Sequence, residues 1–447
     1  MARSTGRPEG TSSSRQGVRV DRLGLSGTGC LTYDGYNCSK GKGRLVSETI
    51  RIGFVGCGNR GSGACLDALS TKTPVKLVAI GDLFAERIET SLKNLRNHEE
   101  VRDRIDVPQD RKFAGFDAYQ KVIDSGVDLV LLTTPPHFRP IHYAAAVKAG
   151  KHVFMEKPCC VDAPGFRTLL AANEEAKRKK LSVVVGLQRH HQRNYLEGIQ
   201  KIRGGAVGRI LFIRTYYNAL GGRAGVLKPP GMSEMEYQIR HWSLFCWLCG
   251  DHLVEQATHV IDVANWVMDA HPLRANGMGG RQVRVGPGNG DIWDHHAIEF
   301  EYADGVRNFC QARQQPGTWD HVSDNIHGTK GVLTIGSGAW GMGAVTPRTM
   351  RTKGARDNPY QQEHDDLMAS ILGTGPHRFE GDYGATSSMT AVMGRMATYS
   401  GQVVTWDEAI KSELRLAPER YAFDADPPTL PDAAGNYPVA TPGVWRG

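Results

Sequence analysis

The sequence has no run of 18 or more apolar residues, the length that a membrane-spanning helix needs, so it does not predict a membrane protein. Its nine cysteines are odd in number and are scattered through apolar segments. This distribution indicates reduced thiols in a reducing compartment and argues against a disulfide framework. Cys246 and Cys249 have the spacing of a redox motif, but they lie in an aromatic run and away from any thioredoxin-like pattern, so we interpret them as buried thiols.

A concentrated basic surface is also missing from most of the chain. Residues 1–48 carry eight Lys or Arg and four Asp or Glu, so they hold +4 of the net charge of +7. The rest shows no basic cluster, and we therefore predict no nucleic-acid partner. Residues 1–48 are rich in Gly, Ser and Arg and lack apolar periodicity, which predicts a disordered tail.

The same tail bears on location. It lacks the apolar stretch of about 7–15 residues that a signal peptide needs, which favours the cytoplasm. An exported form stays open if the tail is a damaged signal or a misassigned start.

What the sequence does contain is strand alternating with helix. With 447 residues it is long enough for two domains. Apolar runs that end in turn residues predict buried parallel strands of an α/β fold with a doubly wound sheet of the Rossmann type. These predicted strands are Ile50–Val55, Val75–Ile80, Val127–Leu132, Lys151–Met155 and Ser182–Leu187.

After Leu187 the pattern of apolar and polar residues changes. Residues 207–220, 293–302 and 305–313 alternate like strands of a more open sheet, and helices are predicted over Leu253–Met268 and Asn358–Leu372. We therefore predict a tail (1–48), a nucleotide-binding domain (49–187) and a domain for substrate binding and oligomer assembly (188–447). An open sheet whose outer face needs covering predicts a homo-oligomer.

A glycine fingerprint follows the first predicted strand and opens a helix. Gly56 permits a tight turn, Gly58 lets the backbone approach a pyrophosphate, and Gly61 allows the helix to pack closely on the strand. Asn59 and Arg60 stand at the start of that helix, whose free N–H groups attract phosphate. The sequence therefore predicts a dinucleotide site.

Asp82 ends the second strand, 21 residues after Gly61. A carboxylate at this point accepts hydrogen bonds from both ribose hydroxyls and repels a 2′-phosphate, which favours NAD over NADP. An ordinary βαβ turn with a capping Asp is the structural alternative.

Two further strand ends carry polar residues, and ligands of such sheets bind beyond strand ends. Thr134 and His137 follow one strand, and Glu156 and Lys157 follow the next. Removing hydride from an alcohol carbon requires a base beside the hydroxyl. A lysine serves if burial in a cleft, beside the cationic oxidised nicotinamide, lowers its pKa towards neutrality. We predict Lys157 as this acid/base group and Thr134, His137 and Glu156 as cofactor contacts; a surface lysine paired with Glu156 is the alternative.

These motifs carry a family resemblance. From about Ile50 to Glu408 the chain resembles the Gfo/Idh/MocA family of oxidoreductases (glucose–fructose oxidoreductase, inositol 2-dehydrogenase, rhizopine catabolism). The resemblance rests on the Gly56–Gly61 fingerprint, Ala149–Val153 running into Glu156-Lys157-Pro158, Val185–Arg189, and Glu255–Asp262. It implies a nucleotide-binding domain followed by an α/β domain with a large open, mainly antiparallel sheet. It also implies NAD(P)-dependent oxidation or reduction of a sugar or cyclic polyol, with Lys157 the catalytic lysine and His259 the second catalytic group.

On the later predicted helix, Glu255, His259, Asp262 and Trp266 recur on one face. His259 could relay a proton or hold a substrate hydroxyl, with Glu255 orienting its ring. Family members more commonly carry Asp where Glu255 stands, which leaves the oxidised carbon open. Metal binding by this face lacks a fourth ligand at recognisable spacing, so no metal is predicted.

Other residues have two interpretations. His190 and His191, beside Arg189, either line the substrate site or cap a strand. In the aromatic insertion Ala224–Trp247, Trp242 and Trp247 either floor a sugar pocket or, as we prefer, belong to the core or a subunit interface.

Three functions remain compatible with these residues. The first is an NAD-dependent dehydrogenase of a sugar, sugar derivative or cyclitol. The second is a glycosidase that recycles tightly bound NAD, because transient oxidation of one carbon acidifies the proton on its neighbour and permits elimination. The third is a non-enzymatic sensor of ligand or cofactor, which the joint presence of Lys157 and His259 disfavours.

Overall fold

A computed structural model describes residues 49–220, 225–336 and 358–445, and all of them belong to one compact unit of the chain. The predicted tail 1–48 and the first residue of the insertion, Ala224, lie outside the described residues, as do Cys30 and Cys38. The strands are β1 Ile50–Val55, β2 Val75–Asp82, β3 Lys112–Ala114, β4 Leu129–Leu132, β5 His152–Met155, β6 Val183–Val185, β7 Ile210–Asn218, β8 Arg274–Gly280, β9 His295–Glu301, β10 Arg307–Arg313, β11 His321–Gly328, β12 Gly331–Ile335 and β13 Val404–Thr405.

The helices connect these strands and cover the sheets. They are α1 Asn59–Leu69, α2 Ala85–Arg96, α3 Glu99–Arg102, α4 Ala118–Asp124, α5 Arg139–Lys148, α6 Ala163–Arg178, α7 Arg193–Arg203, α8 Glu234–Arg240, α9 Cys246–Cys249, α10 His252–Glu255, α11 Thr258–Met268, α12 Pro359–Leu372, α13 Gly381–Ser400 and α14 Trp406–Lys411. In the part of the chain that the structure describes, none of these helices is both long and apolar enough to cross a membrane.

The first sheet is the predicted doubly wound one. Its six strands run in the order β3-β2-β1-β4-β5-β6, and every pairing is parallel. The order reverses between β1 and β4, and in such sheets this switch point is where ligands bind. The apolar runs that predicted the strands are buried on both faces, which explains why they read as continuous rather than alternating.

The second sheet has seven strands in the order β12-β11-β7-β10-β9-β8-β13. All its pairings are antiparallel except β7 with β10. Along β10 Asn308, Cys310 and Ala312 are buried while Arg307 and Phe309 are exposed, so one face packs on helices and the other is open. The predicted α/β class with a large, mainly antiparallel second sheet is thus confirmed, whereas the oligomer stays a prediction.

Helix α13 joins the two sheets into one core. It is buried on nearly all sides and packs against α6, α11 and β8. A single apolar cluster runs from Val153 and Phe166 beside the first sheet, through Met389, to Phe300 and Cys310 of the second. The described cysteines are all buried and free, as the sequence predicted.

Helix α12 packs on the other face of the first sheet and buries a histidine there. His364 is fully buried, its ring centroid lies 4.3 Å from that of Phe154, and neither ring nitrogen has a hydrogen-bond partner among the described residues. Burial, reinforced by the positive charges of Arg60 and His191, lowers the pKa of His364 to about 3. The imidazole is therefore neutral in the folded protein at ordinary pH.

This burial predicts a specific acid sensitivity. An unfolded chain protonates His364 near its usual pKa of 6.5 whereas the folded chain does not, so its contribution to stability is lost as pH falls below that value. The expected loss is about 1.4 kcal/mol per pH unit. Unfolding of wild type and His364→Gln, measured at pH 7.5 and 5.5, should show the variant losing less stability on acidification by about that amount. His98→Gln, which removes an exposed histidine, is the control; equal losses in wild type and His364→Gln would contradict the expectation.

Candidate active site

A cleft of about 730 Å³ lies at the carboxyl ends of the first sheet's strands. Volumes of this size are typical of small-molecule and cofactor sites. The cleft is lined by the glycine fingerprint, by the ends of β2, β4 and β5, and by residues of the second half of the chain. The predicted site residues that line it are Gly56, Gly58, Asn59, Arg60, Gly61, Asp82, Thr134, Glu156, Lys157, Glu255 and His259.

The three fingerprint glycines meet three different surroundings. Gly56 has a φ of +102°, and a Cβ there would lie 2.6 Å from the backbone at Thr133. A Cβ on Gly61 would lie 2.0 Å from the carbonyl oxygen of Gly56, so α1 packs on the turn without room for a side chain. A Cβ on Gly58 would meet nothing within 4 Å. The backbone at Gly58 therefore borders open cleft, at the N-terminus of an 11-residue helix.

Asp82 ties the turn to the second strand. Its carboxylate accepts the N–H of Cys57 at 2.6 Å and the N–H of Phe84 at 2.9 Å. Burial raises the pKa of Asp82, while these two N–H donors oppose the rise. The side chain is thus held in place at the edge of the cleft.

Arg60 reaches from the start of α1 across the cleft. Its Nε donates to Glu156, its Nη2 lies 3.5 Å from Glu363, and the guanidinium lies 4.7 Å from the ring centroid of Tyr360. Burial opposes the charge of Arg60, but the carboxylates of Glu156 and Glu363 outweigh it and raise the pKa of the guanidinium. Glu156 is therefore paired with Arg60 rather than with Lys157.

Lys157 contacts Glu255, on the other side of the cleft. Its Nζ donates to Oε1 of Glu255 at 3.0 Å and to the backbone carbonyl of Glu255 at 2.5 Å. Its side chain is only 13% exposed, so the alternative of a surface lysine does not hold. Behind the strand end, the buried Arg139 donates to the carbonyls of Thr134 and Pro158 and fixes the two loops together.

The predicted helix Leu253–Met268 is broken, and this corrects the one-face interpretation. Helix α10 ends at Glu255 and α11 begins at Thr258, because the carbonyl of Glu255 accepts from Lys157 while the N–H of His259 turns to the carbonyl of Gln256. The carboxylate of Glu255 consequently holds Lys157 and does not orient His259.

His259 lines the cleft as a neutral group. Burial, with the nearby charges of Lys157, Arg189 and Arg60, holds the pKa of His259 well below its usual range. Its Nδ1 is buried with no hydrogen-bond partner among the described residues, and its ring stacks on Tyr217 with 6.3 Å between centroids. A neutral imidazole offers a substrate hydroxyl either a donor or an acceptor.

Asp262 and Trp266 point away from this cleft. Asp262 accepts from His190 Nε2 at 2.8 Å and from Ser387, and Trp266 stacks on His190. His190 is therefore held between α11 and α13, outside the cleft lining.

Two further predicted residues also lie outside the lining. Arg189 is buried behind His259 and donates to its carbonyl at 3.1 Å and to Asp324 at 2.9 Å. His137 is buried against Trp247, and its Nε2 lies 2.7 Å from the hydroxyl of Tyr421. Their proposed roles towards substrate and cofactor stay predictions, and each is a packing neighbour of a residue that lines the cleft.

The aromatic insertion also has one tryptophan in the cleft lining and one in the core. Trp242 lines the cleft, whereas Trp247 is buried and donates to Gln238. Sequence reasoning missed Gln188, Gln256, Tyr217 and Tyr360, all of which line the cleft. Gln188 and Gln256 lie within the motifs Val185–Arg189 and Glu255–Asp262, so their sequence neighbours could have indicated that they belong to the site. Nothing in the spacing of Tyr217 or Tyr360 connects them to the site.

Comparison with known proteins shows what the sequence and the fold are similar to. A model of the Gfo/Idh/MocA family, described as an oxidoreductase family with a NAD-binding Rossmann fold, matches residues 50–186. The nucleotide-binding part of the chain therefore matches this family. An inositol 2-dehydrogenase from Azotobacter vinelandii is 28% identical over 208 residues, which are 46% of this chain and 56% of that enzyme, so the match spans little more than half of its length. An inositol 2-dehydrogenase from Acidothermus cellulolyticus is 22% identical over 388 residues, 86% of this chain and 98% of that enzyme.

Among solved structures, scyllo-inositol dehydrogenase from Lactobacillus casei, crystallised with NAD(H) and scyllo-inositol, superposes with a TM-score of 0.60. It is 18% identical and covers 80% of this chain and all of that one, a likeness that shows the fold. The predictions of this family, of an oxidoreductase acting on CH–OH groups and of a NAD-binding Rossmann fold are thus confirmed.

The different surroundings of the glycines predict different outcomes of substitution. Gly61→Ala should lower the free energy of unfolding by roughly 1–3 kcal/mol, the range typical of overpacking, and with it the thermal midpoint, because the new Cβ meets backbone. Gly58→Ala should leave the midpoint close to wild type, since the site is open and its φ of −75° suits alanine, yet weaken NAD binding at least about tenfold. Calorimetric titration with NAD and a thermal melt distinguish the two. Wild-type NAD affinity in Gly58→Ala would contradict the assignment.

Proposed function

We propose that the protein is an NAD-dependent dehydrogenase of a neutral sugar, sugar derivative or cyclitol, with Lys157 as its acid/base group. The observation that carries the proposal is the meeting of Lys157, Glu255 and His259 in one cleft with the glycine fingerprint. The inositol dehydrogenases among its relatives support the substrate class.

The fit of the dinucleotide rests on open space and donors. Gly58 leaves the backbone accessible at the N-terminus of α1, and the carboxylate of Asp82 stands 21 residues beyond Gly61 at the cleft edge. NAD⁺ bound there would accept a hydride from the alcohol carbon. Glu156 and Thr134 border the same cleft from the ends of the central strands.

Lys157 transfers the proton of the reacting hydroxyl. In oxidation its amine takes the proton from the reacting hydroxyl, and in reduction it returns the proton to the forming alkoxide. Glu255 positions the nitrogen through two contacts, and its carboxylate, 21% exposed, gives the proton a route towards solvent. His259, which is neutral and lines the cleft, holds a second hydroxyl.

The charges at this end of the cleft favour a neutral substrate. Lys157 is paired with Glu255, and Arg60 is paired with Glu156 and Glu363. A sugar acid would therefore find the cations of Lys157 and Arg60 already paired with carboxylates. Trp242 and Tyr217 add apolar faces that suit the C–H side of a ring.

Replacing the lysine tests the proposal. The purified protein should reduce NAD with at least one member of a panel of inositols, aldohexoses and their glycosides, and should prefer neutral members to uronic acids. Lys157→Met should lower kcat by about 10²–10⁴, because proton transfer is lost, with NAD affinity little changed. Lys148→Met, at the exposed end of α5, is the matched control.

Two outcomes would overturn the proposal. One is a Lys157→Met enzyme that keeps most of its kcat. The other is cleavage of a glycoside by NAD-loaded protein with no NADH accumulating, which would make oxidation a transient step rather than the net reaction.

The choice between NAD and NADP is tested at Asp82. Its carboxylate should repel a 2′-phosphate, so Asp82→Ala should lower the ratio of kcat/KM for NAD to that for NADP at least about tenfold. The ratio is insensitive to a general loss of stability. Glu89→Ala, on the exposed face of α2 and paired with Lys112, is the control. An unchanged ratio in Asp82→Ala would remove Asp82 as the determinant.

A further inference from the structure

A second polar cluster lies in the core, apart from the cleft. Asp251, His252 and His296 are each at most 3% exposed, and one ligand atom of each lies within 4.8 Å of the others. Asp251 is the N-cap of α10, His252 is the first residue of that helix, and His296 is on β9. Asp251 has a φ of +80°, a left-handed conformation that costs a non-glycine residue energy.

The hydrogen bonds of His296 leave two acceptors facing each other. The hydroxyl of Thr398 can donate to the carbonyl of Arg395 at 3.1 Å, and in that arrangement its oxygen accepts from Nδ1–H of His296 at 3.0 Å. In a neutral ring Nε2 then carries a lone pair, and it faces Oδ1 of Asp251 at 3.2 Å. In that arrangement the contact is favourable only with a positive charge between the two atoms, either a proton or a metal ion; with the hydroxyl turned to Nδ1, Nε2–H of His296 donates to Asp251 instead.

His252 favours the metal ion. Its Nδ1 lies 2.8 Å from the same Oδ1, yet neither of its nitrogens has a hydrogen-bond partner among the described residues. The carboxylate oxygen is close to the nitrogen but does not lie along the direction of its N–H. A proton on His296 would leave this contact unexplained. A cation bound by Oδ1 and both imidazoles would account for it, because ligand atoms around one ion lie about 3 Å apart without hydrogen bonding to one another.

The second carboxylate oxygen is held by the surroundings. Oδ2 accepts from the N–H of Trp293 at 2.9 Å and from the hydroxyl of Tyr399 at 2.5 Å. The hydrogen bond from His296 to Thr398 is of the kind that orients metal-bound imidazoles. Tyr399 also lines a neighbouring cavity of about 340 Å³, which the three cluster residues themselves do not line.

We propose that Asp251, His252 and His296 bind a divalent transition-metal ion, with two imidazole nitrogens and one carboxylate oxygen as ligands. This donor set is typical of zinc. The ion would tie the start of α10 to β9, and α10 ends at Glu255, which holds Lys157. The site would thus support the cleft without taking part in its chemistry.

The experiment is metal analysis of the full chain. Protein stripped with a chelator is titrated with Zn²⁺ in competition with a chromophoric chelator, and with Co²⁺ followed by its visible spectrum. Wild type should bind one tight equivalent, and bound Co²⁺ should show the intense bands of low coordination. Zn²⁺ should also raise the thermal midpoint of the stripped protein.

Variants locate the ion. His296→Gln and His252→Asn should each lose the tight equivalent and the rise in midpoint, while His295→Gln, the next residue along β9 with a part-exposed side chain, should keep both. If the ligand variants fail to fold, the wild-type stoichiometry and Co²⁺ spectrum still decide. Absence of a tight equivalent in wild type would overturn the proposal and leave a proton shared by His296 and Asp251, and so would an equivalent that both ligand variants retain.

Discussion

The contact between Lys157 and Glu255 is the constraint on which the candidate site depends. It joins the end of β5 in the first sheet to the end of α10, which precedes the helix packed on the second sheet. The lysine contacts the carbonyl that would otherwise continue the helix, and the chain opens there for two residues. The break sets the direction in which α11 starts, and therefore where His259 meets the cleft. The contact made by the Lys157 amine thus fixes the positions of both Lys157 and His259.

Charged side chains around the cleft are also paired with one another. Arg60, Glu156 and Glu363 form a partly buried network whose opposite charges compensate for lost hydration. Behind His259, Arg189 donates to Asp324, but burial outweighs this pairing and raises the pKa of Asp324 to about 7. Because Arg60 and Lys157 are paired within the protein, the lining beside Lys157 offers a ligand the hydrogen-bonding and aromatic groups of Gln188, Gln256, Tyr217 and Trp242. Such a lining matches a polyhydroxylated ring.

Much of the fold was predictable because local signals and tertiary burial agree. The strands at Ile50–Val55 and Leu129–Leu132 are continuous apolar runs, and both lie at the centre of a parallel sheet, where such runs belong. The glycine fingerprint was predictable for a similar reason, since steric limits on Gly56 and Gly61 act within a few residues. The break after Glu255 was not predictable, because its cause lies 98 residues away in Lys157. Tyr217 and Tyr360 were missed because only the tertiary fold brings them to the cleft.

The short helix α10 shows why the buried polar core bears on function. Four residues cannot form a stable helix on their own, so the position of α10 has to be fixed from outside. At its C-terminal end Lys157 contacts Glu255, and at its N-terminal end Asp251 accepts from Leu253, Trp293 and Tyr399. Movement at either end would shift the Glu255 carboxylate and the lysine with it, and small displacements of an acid/base group are costly in rate. Asp251, which is strained and fully buried, therefore fixes the end of α10 opposite Glu255. In this way it helps Glu255 to position Lys157.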